Sequence, residues 1–337
     1  MKTLQITASL SADKGHIREN NEDNVFFNGF FLNKEVRDGG ACINEIHMGE
    51  FLLYAIFDGM GGIAYGEESS YIASHITSGL FSNAPKITSK NVDEFVNNLI
   101  KQANNAVCNR MYELNSGRMG ATVALVAIYG NKAKIYNVGD SRVYFKRKSE
   151  FSQISLDDSV SQRLYRMGVI SKSEALIHKD RNKLVQHLGI SENEFIIEPH
   201  VSKEIKLKNN DMLLLCSDGL TDMVSDERIN EILSSSASVG EKSEELMCEA
   251  LSNGGKDNIS VILLEANNKN SANKNKIYTL FILLLAVMIV SAIGVLILFS
   301  SSLFDDKSRS SSPKADMGFF ESVSEDISKT IPSFKSK

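Results

Sequence analysis

Cysteine is sparse in this 337-residue chain, and none of it is spaced to pair. Cys42, Cys108, Cys216 and Cys248 lie far apart with no C-x-x-C spacing. That excludes a disulfide framework and a zinc ribbon, and predicts reduced, mostly buried thiols in a cytosolic setting. The six histidines are scattered, so no cluster of zinc-ligand spacing exists. A basic surplus is also missing: 37 Lys+Arg stand against 42 Asp+Glu, a formal net charge of −5. With no excess of cations to neutralise phosphates, nucleic acid is not an expected partner. The N-terminal stretch MKTLQITASLSADKGHIREN has no apolar core long enough for a signal peptide. No internal repeat is visible.

The length suggests one large domain or two modest ones, enough to bury a full core. Leu4, Ile6 and Ala8 alternate with polar neighbours and predict a first strand. Further strand-like runs are GEFLLYAIFD, ATVALVAIYG, KAKIYNVGD, SRVYFKR, DMLLLCSDG and NISVILLEA. The Gly130-Asn131 pair in YGNKAK predicts a tight hairpin. Two segments have helical period. From Val92 to Met111, apolar residues at 92, 95, 96, 99, 100, 103, 106, 107 and 111 trace one stripe. Glu67 to Phe81 is similar, with Ile72, Ala73, Ile76 and Leu80. SLDDSVSQRLYRMGVISKSEAL reads as a short, charged helical excursion outside the core. Hairpin-joined strands with amphipathic helices predict an α+β fold of sheets covered by helices.

Near the C-terminus, residues 277–299 (IYTLFILLLAVMIVSAIGVLILF) form an uncharged apolar run between polar flanks. As a helix it would be about 35 Å long, enough to cross a hydrocarbon core of about 30 Å. The expected organisation is a folded domain over 1–266, a linker over 267–276, one transmembrane helix over 277–299 and a Ser-rich, disordered tail over 300–337. Lys269, Lys274 and Lys276 before the span balance Lys307, Arg309 and Lys314 after it, so the positive-inside rule barely chooses. The lack of a signal peptide favours a cytoplasmic domain on a single-pass plasma (inner) membrane protein.

The chemistry is carried by carboxylates at strand ends. LLYAIFDGMGG runs an apolar strand into Asp58, followed by Gly59, Gly61 and Gly62. A buried charge is costly unless something pairs with it, and glycine lets a ligand approach the main chain. LLLCSDGL repeats the design at Asp218, GGKDNISVILL sets Asp257 before a strand, and YNVGDSR sets Asp140 after one. RENNEDN adds Glu22 and Asp23, with Arg18 nearby. Singly, each reads as a turn carboxylate; together they suggest an all-oxygen site of the kind that takes Mg²⁺ or Mn²⁺. Two such ions about 3.5–4 Å apart can activate water against phosphorus, and Arg18 supplies a cationic fork for phosphate oxygens.

RENNEDN, FDGMGG, GATVALVAI, VGDSR, LLLCSDGLTDMV and GGKDNISVI together resemble the motif series of the metal-dependent PPM/PP2C serine/threonine protein phosphatases, bacterial branch. The likeness spans about residues 8–265. It implies an α-β-β-α sandwich of two antiparallel sheets flanked by helices, with metals at one edge. By motif position, Asp58 bridges two Mn²⁺ or Mg²⁺ ions, and Asp218 and Asp257 complete the first. The Gly59 carbonyl, Glu22 and Asp23 serve the second, Asp140 and Asp218 a third, and Arg18 binds the substrate phosphate. The implied substrates are phosphorylated cytosolic proteins, the products of a Ser/Thr kinase.

The sequence departs from eukaryotic relatives at Met60, where they carry a histidine, so the resemblance names no side-chain general acid. Ile63 stands where bacterial relatives often have histidine. Ser155 to His187 corresponds to the family's flap by location alone, and His178 within it reads as structural. Two alternatives stay open: a catalytically silent phosphoprotein-binding scaffold, and a phosphatase of partner-switching proteins or small phosphoesters.

Overall fold

The apolar runs form strands whose two faces are both covered. In the computed structural model the described residues are 4–33, 39–60, 65–116, 118–268 and 282. The main strands are β1 (Leu4–Asp13), β2 (Asn24–Phe27), β3 (Ala41–Met48), β4 (Phe51–Phe57) and β5 (Val123–Tyr129). They continue with β6 (Lys132–Val138), β7 (Arg142–Arg147), β8 (Glu150–Gln153), β9 (Met212–Cys216) and β10 (Ile259–Asn268). One sheet has the order β8-β7-β9-β10-β1-β3. The other is built on β6-β5-β4-β2, with short strands at Phe30–Phe31, His200–Val201 and Ile205–Lys206. Helices α1 (Gly66–Ser82) and α2 (Val92–Glu113) follow β4. Next come α3 (Val160–Arg166), α4 (Lys172–Ile177), α5 (Asp218–Thr221), α6 (Asp226–Ser234) and α7 (Val239–Ser252).

The period-2 geometry of a strand sorts its side chains into layers. Leu52, Tyr54 and Ile56 of β4 pack with Leu213 and Leu215 of β9 and Leu4, Ile6 and Ala8 of β1, between the sheets. Leu53, Ala55 and Phe57 turn the other way and pack with Val96, Leu99 and Val107 of α2. Met212, Leu214 and Cys216 meet Ile229 and Ile232 of α6 and Leu246 of α7. Three apolar layers therefore separate four structural ones, the expected α-β-β-α arrangement. Because both faces of the central strands are buried, their sequences are continuously apolar, without the alternation of a half-exposed strand. The hairpin falls where expected: Gly130 takes φ +62° at the first turn position between β5 and β6.

One expectation needs correction. The cysteines are not mostly buried: only Cys216 is, while Cys108 is intermediate and Cys42 and Cys248 are exposed. Cys42 sits on the edge strand β3, where much of the side-chain surface faces outward. Helix α1 spans the expected segment, and Ile72, Ala73, Ile76 and Leu80 pack on the core as expected, joined by the buried Ser69, Ser70, Ser74 and Thr77. Their hydroxyls bond to carbonyls three or four residues back, as Ser69 Oγ to Gly66 O at 2.7 Å and Thr77 Oγ1 to Ala73 O at 2.7 Å. Ser69 Oγ also reaches the Gly120 carbonyl outside the helix, so the buried hydroxyls are satisfied mainly, though not wholly, within α1.

The chain divides into two units, Met1–Ala272 and Asn273–Lys337. The expected span over 277–299 and the tail over 300–337 lie outside the described residues, apart from Ile282. Among the described residues no helix is long and apolar enough to cross a membrane.

Candidate metal centre

Strand register brings the acidic residues to one end of the sandwich. Ile56 of β4 pairs with Ala124 of β5, and Val123 with Val138 of β6, so Asp58, Thr122 and Asp140 follow at the same edge. In the facing sheet Cys216 pairs with both Arg142 and Val261, placing Asp218 beyond β9 and Asp257 just before β10. Arg18, Glu22, Asp58, Gly59, Met60, Thr122, Asp140, Asp218 and Asp257 line a single cleft of about 380 Å³, rimmed by Asn182 and Leu184. Asp23 is 1% exposed and bonds Ser217 Oγ through its Oδ2 at 2.8 Å. Every expected site residue is thus in the cleft or against it.

The carboxylates oppose one another's ionisation. Burial pushes Asp58 well above the usual carboxylate range, and Asp23, Asp218, Asp140 and Asp257 push it further. Asp140 is raised well above the range by burial and by Asp218. Asp218 is pushed up to about 6 by burial, Asp257 and Asp222, against the opposing effect of its hydrogen bond with Asp58. Asp23 is pushed to about 8, by burial first and then by Asp218 and Asp257. Its Oδ1 is buried without a partner. Glu22 is raised by burial, with Arg18 opposing.

Local geometry holds these groups in place. Thr122 Oγ1 accepts from the Asp58 amide at 3.0 Å and pairs with Ser141 Oγ at 2.7 Å. Gly59 pairs with Ala121 across a short ladder, and a Cβ there would collide with the carbonyls of Gly66 and Glu22. A Cβ on Gly66, at the start of α1, would strike the Glu22 carboxylate and approach the Gly59 carbonyl. Both positions are open to glycine alone. The side chain of Asn258 pins the loop bearing Arg18 and Glu22: it donates to Lys14 O and Asn20 O, each at 2.9 Å, and accepts from Glu22 N at 2.7 Å.

Arg18 is engaged on the cleft's own acids. Its Nη2 donates to Asp257 Oδ2 at 2.7 Å, and Nη1 lies 3.7 Å from Glu22 Oε2. Burial opposes its charge, but Asp257, Glu22 and Asp58 outweigh this and hold the guanidinium above its usual value. Met60 lines the cleft, whereas Ile63 lies outside the described residues. His178 is not in the cleft lining; its Nδ1 accepts from Asp180 N at 3.1 Å.

Among the described residues, no three His, Cys, Asp or Glu side chains are already grouped to hold one ion. The donor set nevertheless fits a pair of hard cations. It is all oxygen, it contains an orphaned carboxylate oxygen on Asp23, and its buried acids disfavour one another's charge. Ions that keep several waters need only one or two carboxylates each, so a shared pair does not demand a preformed three-acid clasp.

Comparison with known proteins points the same way. The sequence profile described as Protein phosphatase 2C matches residues 41–253. The serine/threonine phosphatase stp of Listeria innocua is 32% identical over 264 residues, covering 77% of this chain and 96% of that protein. The crystal structure of the Mycobacterium tuberculosis serine/threonine phosphatase PstP/Ppp superimposes with a TM-score of 0.64 at 30% identity, covering 79% of this chain and all (100%) of that one. A structure of the catalytic domain of PstP in complex with two manganese ions is similar at 29% identity and a TM-score of 0.63, covering 79% of this chain and 100% of that one.

Proposed function

Since the chain belongs to the protein phosphatase 2C family of metal-dependent serine/threonine phosphatases, we propose that it removes phosphate from phosphoserine and phosphothreonine of cytosolic proteins. The observation that carries this reading is the set of mutually repelling acids, Asp58, Asp140, Asp218 and Asp257, in one cleft. Asp58, Asp218 and Asp257 would hold one Mn²⁺ or Mg²⁺ ion, and Glu22, Asp23, Asp58 and the Gly59 carbonyl a second; Asp140 with Asp218 would serve a weaker third position. When bound, such ions supply Lewis acidity and a water of lowered pKa.

The protein's own groups orient the reaction. Arg18, now held by Asp257 at 2.7 Å, is the fork that would bind phosphate oxygens, and a cation on Asp257 would free it to do so. Thr122, the hydroxyl residue lining the cleft, is engaged by Asp58 N and Ser141. That favours direct displacement by water without a phosphoenzyme. Asn182 and Leu184 stand on the rim, where the protein part of the substrate would lie. The opposing activity is a Ser/Thr kinase.

The enzyme is anchored by residues 277–299 as one membrane helix, with its catalytic domain cytoplasmic. The uncharged apolar run of that stretch and its polar flanks support this. Phosphate release from a phosphothreonine peptide, with Mn²⁺ and with EDTA, tests the activity. Metal-dependent release is expected, and a folded protein that releases none in Mn²⁺ is instead a silent binder. Recovery of the full chain in the membrane fraction, resistant to alkaline wash, tests the anchor; recovery in the wash would refute it.

A further inference from the structure

The segment from Ser155 to His187 leaves the sandwich through a narrow neck. Val185 N donates to Asp158 O at 2.7 Å, and Val160 N to Lys183 O at 2.9 Å, so the outgoing and returning chains run side by side. At the base of the neck sits Asp158, 2% exposed and fully engaged. Its Oδ2 accepts from Gln186 Nε2 at 2.8 Å and from the Gly139 amide at 3.2 Å, and its Oδ1 from His200 Nε2 at 2.7 Å. Arg166 of α3 stands 3.8 Å from Oδ1. The Asp158 amide donates back to Gly139 O at 2.9 Å.

One buried carboxylate therefore ties together both ends of the flap, the turn before Asp140, and the strand carrying His200. Leu184, within the neck, and Asn182, just beyond it, both line the cleft. Nothing in the described hydrogen-bond pattern joins these four pieces so directly as Asp158. We infer that Asp158 is a positioning residue. It acts through the flap neck to set Asn182 and Leu184 over the cleft, and so governs productive binding of a phosphoprotein segment and not of a small phosphoester.

The chemistry of the cluster supports a specific need for a carboxylate. Three N–H donors converge on two oxygens, and an acceptor-only group satisfies all of them. Asparagine replaces one oxygen by an NH₂, which either forces His200 to give up its Nε2 proton or leaves a buried polar conflict at unchanged volume. A loosened neck moves Asn182 and Leu184 without removing any side chain of the cleft lining.

This inference rests on the phosphatase reading, and its test separates the two. Wild-type turnover of a phosphothreonine peptide and of para-nitrophenyl phosphate with saturating Mn²⁺ checks the reading itself. Asp158→Asn should then raise KM for the peptide about tenfold, leaving kcat and the aryl phosphate constants within about threefold. His200→Phe, at a partly exposed side chain, should move the same constants in the same direction, whereas His200→Gln, which keeps a donor, should restore them. Trypsin cleavage at Arg163, Arg166, Lys172 or Arg181 should rise in Asp158→Asn and His200→Phe alike. If Asp158→Asn does not fold, His200→Phe carries the same comparison. Equal losses on both substrates, or no change on either, would overturn the inference.

Discussion

At Asp218 function and stability pull in opposite directions. Its carboxylate lies beside Asp58 and near Asp257, and burial with these neighbours pushes it up to about 6. Asp218→Asn removes one of the repelling charges at nearly constant shape. The metal-free protein should therefore gain thermal stability, read as a rise in Tm in EDTA. Mn²⁺-dependent turnover should fall by about 10²–10³-fold, because the lost ligand weakens Lewis acidity worth several kcal/mol. A variant that loses activity and stability together would place Asp218 among ordinary structural residues. Arg18 behaves differently, since half its role is to neutralise Asp257 in the resting cleft. Arg18→Lys keeps the charge but loses the planar fork. KM for phosphopeptide should rise about tenfold with Mn²⁺ affinity little changed, a contrast that titration calorimetry beside steady-state kinetics would read.

Elements carry the next level, and the loop between β1 and β2 is the most consequential. It bears Arg18, Glu22 and Asp23, yet three of its polar contacts are bonds to one side chain, Asn258. Asn258→Ala leaves two carbonyls and one amide without that partner, at a cost of about 1–3 kcal/mol per group that stays dry. Since this side chain supports the ligands from behind, Mn²⁺ affinity should drop about 10–100-fold; chemical denaturation and calorimetry together would measure both. This contact also shows what the sequence leaves hidden. The strands were legible because two buried faces write continuous apolar runs such as LLYAIF and LLLC. Asp58 and Asp218 were legible because each ends such a run beside glycine, whereas Glu22 and Asp23 have no glycine next to them. Asn258 is next to Asp257, but its partners lie more than two hundred positions away, and a polar side chain does not announce a distant backbone group. Asp158 escaped notice for the same reason, reading as one charge in a charged excursion. Helix α1 was found by its period, while its buried serines followed from hydroxyls satisfied mainly within the helix, which apolar periodicity does not detect. The exposed Cys42 reflects an edge position that only strand order reveals.

For the whole molecule, the acid cluster links folding, pH and metal. Asp58, Asp140, Asp218, Asp23 and Glu22 all hold protons more tightly when folded than when unfolded. Groups raised in this way contribute stability that is complete below their unfolded values, near 4, and is lost as pH rises through the folded ones. The named values spread that loss from about pH 4 up to about 6 for Asp218 and up to about 8 for Asp23. Glu204, lowered to about 2 chiefly by its bond with Lys132, and Asp93, lowered by Lys134 and Tyr136 against the effect of burial, run the other way. Their contribution is present above about pH 4 and is lost only on further acidification. Between pH 5 and 8 the cleft acids therefore decide the slope, and Tm in EDTA should fall by several degrees across that interval. Divalent ions compete with protons for the same oxygens, so saturating Mn²⁺ should stabilise the protein most at pH 8 and least at pH 5, flattening or reversing the slope. In Asp218→Asn the slope below about pH 6 should diminish even without metal. Differential scanning calorimetry of wild type and variant, with EDTA and with Mn²⁺, reads all of these differences. A metal-free Tm that is constant from pH 5 to 8 would mean that the acids do not share one buried charge problem, and the case for a shared pair of cations would fall with it.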